Sequence, residues 1–296
     1  MNDPPSTTSR ASNGPRTGFV LAGGGSLGAI QVGMLAELVA AELKPDFIVG
    51  VSAGALNGAF FAHDPSAAMV KRMSALWAQV STRQVLGLSW RSLLAMLGLR
   101  DHLANPAGLR GILESGLSYR QFSETTVPLH VLAAELTTGA DVVLNEGLVI
   151  DAVLASTAIP GVFPAVQLRG QSLVDGAVAA RSPIAIAQQL GATRLIVLPC
   201  GFACAGADVS KHALGRAMHA ITLLGARQLK QDFERYSPTL AIHVVPPLCP
   251  LSQSAYDYSR GGELIDRGRA STRAWLDSGG LERQEFPDGL TVHSHA

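Results

Sequence analysis

The stretch from Asp46 to Phe61 constrains this chain most. An apolar run, Phe-Ile-Val-Gly-Val, stops at Ser52 and continues as Ala-Gly-Ala-Leu-Asn-Gly-Ala-Phe-Phe. The first part reads as a buried strand and the second as a helix of small and apolar residues packed closely on a sheet. Where they join, Gly50-Val51-Ser52-Ala53-Gly54 spells G-x-S-x-G, a pattern that requires a strand before it and a helix after it. A serine on so sharp a turn is crowded from two positions on either side, and glycine at 50 and 54 removes that crowding. The helix end beneath Ser52 favours negative charge at its oxygen. The plainer alternative is a packing-driven glycine turn with an ordinary helix-capping serine.

A second strand-to-helix junction lies upstream. Thr17 to Ala22 is apolar and is followed by Gly23-Gly24-Gly25-Ser26-Leu27-Gly28, then by a helical pattern through Ile30, Met34, Leu35 and Leu38. Gly23-x-Gly25-x-x-Gly28 matches the dinucleotide fingerprint in letters, but a nucleotide site needs an acidic residue at the end of the second strand. Here that end is Gly50-Val51-Ser52, and Asp46 stands at the strand's start. A P-loop fails as well, because Ala29 and Ile30 follow Gly28 in place of Lys-Ser/Thr. What remains is a loop whose backbone N–H groups converge at a helix N-terminus and can hold an anion, including a developing oxyanion; a tight packing turn is the alternative.

Further strands are expected at Leu129–Glu135, Ala140–Leu144, Arg194–Leu198 and Leu240–Val245. Helices are expected over most of Pro65–Gly116 and at 148–155, 183–190, 211–236 and 262–277. Thr137-Thr138-Gly139 reads as a turn. Alternating strands and helices predict an α/β fold, a three-layer α/β/α sandwich with a mostly parallel central sheet. The sequence divides into a disordered polar leader (1–16), one α/β domain (17–278) and a polar tail (279–296).

A serine nucleophile needs a proton acceptor. His63, His102, His130, His212, His219, His243, His293 and His295 all lack the glycine or turn context that would present them to a site. His243, in an apolar strand, reads as a core histidine. Asp175 does have that context: it follows Ser172-Leu173-Val174 and precedes Gly176-Ala177 at a strand's C-terminal end, where open α/β sheets build sites. A carboxylate, with an ordinary pKa of about 3.9, is a weak base, yet it can accept a serine proton in a dry site with a stabilised oxyanion. A turn residue before glycine is the alternative for Asp175.

At these motifs the chain resembles the patatin-like phospholipase family, most closely its bacterial single-domain members. The glycine loop 23–28, the elbow 50–54 and Asp175-Gly176-Ala177 carry the likeness, together with Ala155-Ser156-Thr157-Ala158-Ile159-Pro160-Gly161-Val162-Phe163-Pro164 and the turn at 137–139. It extends in order over roughly residues 17–245. The resemblance implies a Ser52–Asp175 dyad without histidine, an oxyanion hole from the N–H groups of Gly23, Gly24 and Gly25, and hydrolysis of lipid esters without a metal or other cofactor. Gly28, Gly50, Gly54, Gly176 and Ala177 support the motifs. The chain departs from the pattern at Arg181-Ser182, where members often carry Asn and a small polar residue, and Arg181 is a candidate partner for an anionic head group.

Composition narrows the rest. Lys+Arg and Asp+Glu balance at 23 each, so no basic excess supports nucleic-acid binding. Charged residues are 16% of the chain, low enough to suggest that apolar surface meets a lipid, a partner or a second copy. Residues 84–99 place Leu86, Trp90, Leu93, Leu94 and Leu97 on one helical face, as a lid, a membrane contact or a helix packed on the core or on a second subunit. Cys200, Cys204 and Cys249 are too few and too irregular for a disulfide framework or zinc site and suit a reducing compartment. With no signal-like or spanning segment, the expectation is a cytoplasmic enzyme that meets acyl-ester substrate at a membrane surface, with a homo-oligomer left open. The alternatives are a weakly active lipid- or partner-binding protein on the same fold and, disfavoured by the misplaced acid, a nucleotide-binding module.

Overall fold

The structure, a computed structural model, describes residues 16–86, 102–200, 213–251 and 253–291. The expectations for the leader up to residue 15, for 87–99, and for Cys204, His212, His293 and His295 lie outside the described residues.

Eight strands form one sheet: β1 (Thr17–Leu21), β2 (Phe47–Val51), β3 (Leu129–Glu135), β4 (Asp141–Leu144), β5 (Val166–Leu168), β6 (Gln171–Asp175), β7 (Arg194–Leu198) and β8 (Ala241–Val244). Their order is β5-β6-β3-β2-β1-β7-β8, with β4 paired to β3. The five strands β3-β2-β1-β7-β8 run parallel, and β4, β5 and β6 join by antiparallel pairing. The expected mostly parallel sheet is therefore present. The β5–β6 hairpin is an addition: three-residue β5 is too short to show alternation, and its turn, Arg169-Gly170, has positive φ at both residues.

The parallel strands are continuous apolar runs because both faces are covered. Phe19, Leu21, Ile48, Val131 and Ile196 point into one core, while Val20, Phe47, Val49, Leu195 and Val197 point into the other. The first core is closed by α1 (Gly28–Ala40), α2 (Ala53–His63), α3 (Ala67–Gln79), α5 (Ala107–Gly116), α6 (Val149–Ser156) and α9 (Gly261–Asp277). Short α4 (Thr82–Leu86) packs in a satellite cluster with Val162 and Phe163. The second core is closed by α7 (Pro183–Gln189) and α8 (Ala213–Tyr236). These are the three layers the sequence implies.

Register brings two strand ends together. Val131 and Leu132 of β3 pair with both β2 and β4, whereas Ala133 and Ala134 pair with both β4 and β6. β2 and β6 thus lie end to end along one edge of β3, with Val51 opposite Leu132 and Asp175 opposite Ala133. The residue after Val51 is Ser52.

Candidate active site

Ser52 sits between β2 and α2 at φ 53° and ψ −122°, a conformation non-glycine residues rarely adopt. Sterics force the sequence around it. A Cβ on Gly54 would lie 2.1 Å from the Leu21 carbonyl oxygen, and one on Gly50 would lie 2.7 Å from the Gly54 carbonyl oxygen. Although Ser52 occupies the N-cap of α2, its side chain makes no capping hydrogen bond. Its hydroxyl lies near enough to the Asp175 carboxyl to favour the charged form. The capping alternative for Ser52 therefore falls.

Asp175 ends β6 and is buried, at 2% exposure, beside a Ser52 that is 6% exposed. Its N–H donates to the Ala158 carbonyl at 2.9 Å, and its Oδ1 accepts from the Ala177 N–H at 2.8 Å. Burial raises the Asp175 pKa to about 6, against the lowering effect of the Ala177 N–H and the Ser52 hydroxyl. Gly176 is required by the same crowding: a Cβ there would stand 2.2 Å from the Leu132 carbonyl oxygen.

The loop Gly23–Gly25 lines the same cleft as Ser52 and Asp175. Among the described residues, no backbone bond takes up the N–H of Gly23, Gly24 or Gly25. The next two N–H groups are taken: Ser26 donates to Ala255 O at 2.7 Å, and Leu27 to Gly24 O at 3.2 Å. The structure thus brings together Ser52, Asp175, the three loop glycines, Gly176 and Ala177. Gly28, Gly50 and Gly54 serve the turns around them.

Several contributing residues carry no motif of their own. Ser156 Oγ accepts from the Ser52 N–H at 2.9 Å and donates to the Leu132 carbonyl at 2.6 Å, tying the elbow to β3. Asn57 donates to Gly28 O and Gln31 Oε1 and accepts from Trp77 Nε1, each at 2.9 Å. Gln31 in turn donates to the carbonyls of Ala22 and Leu198. This fully buried network fixes the glycine loop from below. Its sequence signal is a single amide in each of two apolar helices, since a polar group buried there must be satisfied. Tyr256, which the sequence reading did not single out, lines the clefts on both sides of Ser52, and burial together with the nearby Asp175 carboxylate holds its phenol protonated.

Histidine is absent from the described walls of either cleft. His243 Nδ1 donates to Arg283 O at 3.1 Å in the core, as expected. Asp46 accepts from the Thr17 N–H at 2.6 Å at the opposite end of the strands, consistent with rejecting a nucleotide site. The Arg181 guanidinium is engaged with Asp141 through Nε (2.8 Å) and Nη2 (2.5 Å), so it is not held out for a head group. Cys200 is buried against the glycine loop, and burial pushes its thiol up, so it stays protonated. No metal-binding cluster occurs among the described residues.

Fold and site together define a mostly parallel α/β protein in which a strained serine, a buried carboxylate and a glycine loop line one cleft. The family model described as patatin-like phospholipase matches residues 19–187, and the chain belongs to that family. It is similar to patatin-like phospholipase domain-containing protein 7 of Rattus norvegicus, at 27% identity over 66% of this chain and 14% of that protein. It is also similar to lysophospholipase NTE1 of Phaeosphaeria nodorum, at 24% identity over 86% of this chain and 16% of that one. The chain thus spans only a small part of the length of these relatives. Among solved structures it is similar to the ExoU–SpcU complex of Pseudomonas aeruginosa, with a TM-score of 0.46 and 19% identity over 91% of this chain and 52% of that one.

Proposed function

We propose that this protein is a lipid acyl hydrolase working through a Ser52–Asp175 dyad and an acyl-enzyme. The observation that carries this reading is a strained elbow serine lining one cleft with a buried carboxylate, near enough to favour its charged form. Ser52 Oγ attacks the ester carbonyl carbon while its proton passes to Asp175. The carbonyl oxygen gains the negative charge and rests on the N–H groups of Gly23–Gly25, which no described backbone carbonyl takes up. As the C–O bond breaks, Asp175 returns the proton to the leaving alcohol. Water then attacks the acyl-enzyme, gives its proton to Asp175, and the fatty acid departs as Ser52 regains a proton.

Three features support a lipid substrate. The clefts at Ser52 are lined mostly by apolar residues, Val178 at the rim is 40% exposed, and the family is one of phospholipases. No described helix is long and apolar enough to cross a membrane, so we place the lipid encounter at a surface rather than within a span.

Purified Ser52→Ala and Asp175→Asn should each lose about 10³-fold or more of kcat on a p-nitrophenyl acyl ester, with folding checked by circular dichroism. Wild-type turnover in either folded variant ends the dyad reading. A folded wild-type protein that a fluorophosphonate probe fails to label points instead to a lipid-binding role.

A further inference from the structure

A leaving alcohol needs more than a proton source. As the C–O bond lengthens, negative charge gathers on its oxygen before the proton has fully arrived. A hydrogen bond given to that oxygen is worth most at that moment. Two clefts meet at Ser52, and the residues common to both are Gly25, Ser52, Ile159 and Tyr256. Of these, only the nucleophile and Tyr256 have side chains that can donate.

Tyr256 is held on both sides. Ala255 O accepts from the Ser26 N–H at 2.7 Å, which ties the residue before it to the glycine loop. Thr82 Oγ1 donates to Tyr256 O at 3.1 Å and accepts from the Tyr258 N–H at 3.3 Å, which ties the residues after it to the start of α4. The ring packs against the satellite cluster that contains Val162 and Phe163. A side chain fixed in this way is oriented before the substrate arrives.

The polar end of that ring lies toward the dyad. Burial first, and the Asp175 carboxylate second, raise the Tyr256 phenol, so it stays a donor wherever Asp175 is ionised. Among the described residues the hydroxyl forms no hydrogen bond, while the main chain of Tyr256 is bonded through both its N–H and its carbonyl. The leaving oxygen must come beside Asp175 to be protonated. A donor anchored where the clefts meet, within electrostatic reach of the same carboxylate, is placed for that oxygen. The carbonyl oxygen, by contrast, has the glycine loop.

We propose that Tyr256 is a further catalytic residue, whose hydroxyl donates a hydrogen bond to the leaving-group oxygen while Asp175 delivers the proton. The Tyr256 proton stays on the phenol throughout. This rests on the hydrolase reading above and adds a residue to it.

The test compares kcat/KM of the parent and of Tyr256→Phe on the octanoate esters of p-nitrophenol, phenol and ethanol. All three esters give one acyl-enzyme, and kcat/KM reports the steps up to it, so deacylation drops out. Tyr256→Phe keeps the ring and its packing, and its thermal melt should match the parent's. A nitrophenolate leaves without help, whereas an alkoxide requires it. The variant should lose at least about tenfold on the ethyl ester, less on the phenyl ester, and under about threefold on the p-nitrophenyl ester. The dependence of log kcat/KM on leaving-group pKa should thus be steeper than in the parent. An equal loss on all three esters, as a donor to the oxyanion or a displaced glycine loop would give, overturns the inference. So does undiminished turnover of the ethyl ester. If the parent turns over none of the three and a fluorophosphonate probe fails to label it, the hydrolase reading falls and this inference with it.

Discussion

A carboxyl that must serve as a base near neutral pH cannot keep an ordinary pKa of about 3.9 and be effective. Burial gives Asp175 a value of about 6. If Asp175 is the base, kcat/KM should climb roughly tenfold per pH unit below about 6 and level off above it. A profile flat between pH 4.5 and 8 excludes Asp175 from that role. The same burial carries a stability cost with a definite sign. Below about pH 4 the acid is protonated whether folded or not, and above about 6 the folded state holds a buried carboxylate, so stability falls across that interval by on the order of 3 kcal/mol. Asp175→Asn, which keeps an acceptor for the Ala177 N–H, should therefore melt higher than the parent. The gap should widen from pH 5 to 7 and then hold; thermal melts at four pH values check this. Ser156 acts by hydrogen bonding alone. Ser156→Ala strands the Ser52 N–H and the Leu132 carbonyl in a buried site, for a cost of about 1–3 kcal/mol and a lower kcat, read by urea unfolding and steady-state kinetics.

Helix α1 carries the glycine loop at its start and is buried along most of its length, between the sheet and α9. The two helices touch backbone to backbone. A Cβ on Gly33 would meet Ile265 O at 2.2 Å, and one on Gly268 would meet Ile30 O at 2.7 Å. One turn further along, buried Glu37 accepts from Arg269 Nε at 3.1 Å and Arg273 Nε at 2.9 Å. Burial works to raise the Glu37 carboxyl, but the hydrogen bonds from Arg273 and Arg269 outweigh it and hold the group below the ordinary range. Its contribution is thus present at neutral pH and is lost as the pH falls through that lowered value, the reverse of Asp175. Gly268→Val should force the helices apart at a cost of about 3 kcal/mol or more, measured as a lower urea midpoint at unchanged slope. In sequence, Gly33 and Gly268 are lone glycines in helical patterns and give no hint of each other. The glycines at 23–28 and 50–54 were legible because each stands at a strand-to-helix turn where local sterics fix the residue type. The β5–β6 hairpin was not legible, since its first strand is too short for a period to register.

The site is a property of the whole sheet. The glycine loop follows β1, Ser52 follows β2, Asp175 ends β6, and Ser254 to Tyr256 arrive from beyond β8. The sequence showed the first three because their chemistry fixes side chains and glycines. It hid the fourth because the contact is main-chain: the Ser26 N–H donates to Ala255 O at 2.7 Å and the Ser26 hydroxyl donates to Ser254 O at 3.1 Å. Main-chain carbonyls leave no letter in the sequence. The family match, residues 19–187, likewise holds Ser52, Asp175 and the whole glycine loop, yet not this support. A fragment ending at Pro250 therefore tests whether the motifs suffice. It keeps all eight strands but loses the carbonyls that pin Ser26, Tyr256 at the junction of the clefts, and α9, whose removal uncovers Ile30 and Gly33 on α1. Exposing that apolar face should cost far more than the typical 5–15 kcal/mol margin of a folded domain can absorb alongside the lost packing. The fragment should show no cooperative urea transition and no fluorophosphonate labelling at Ser52. In the intact chain, labelling and near-ultraviolet circular dichroism should be lost at one common midpoint. A fragment that labels as the intact chain does would mean that β1, β2 and β6 alone hold the elbow, the loop and the carboxylate in place.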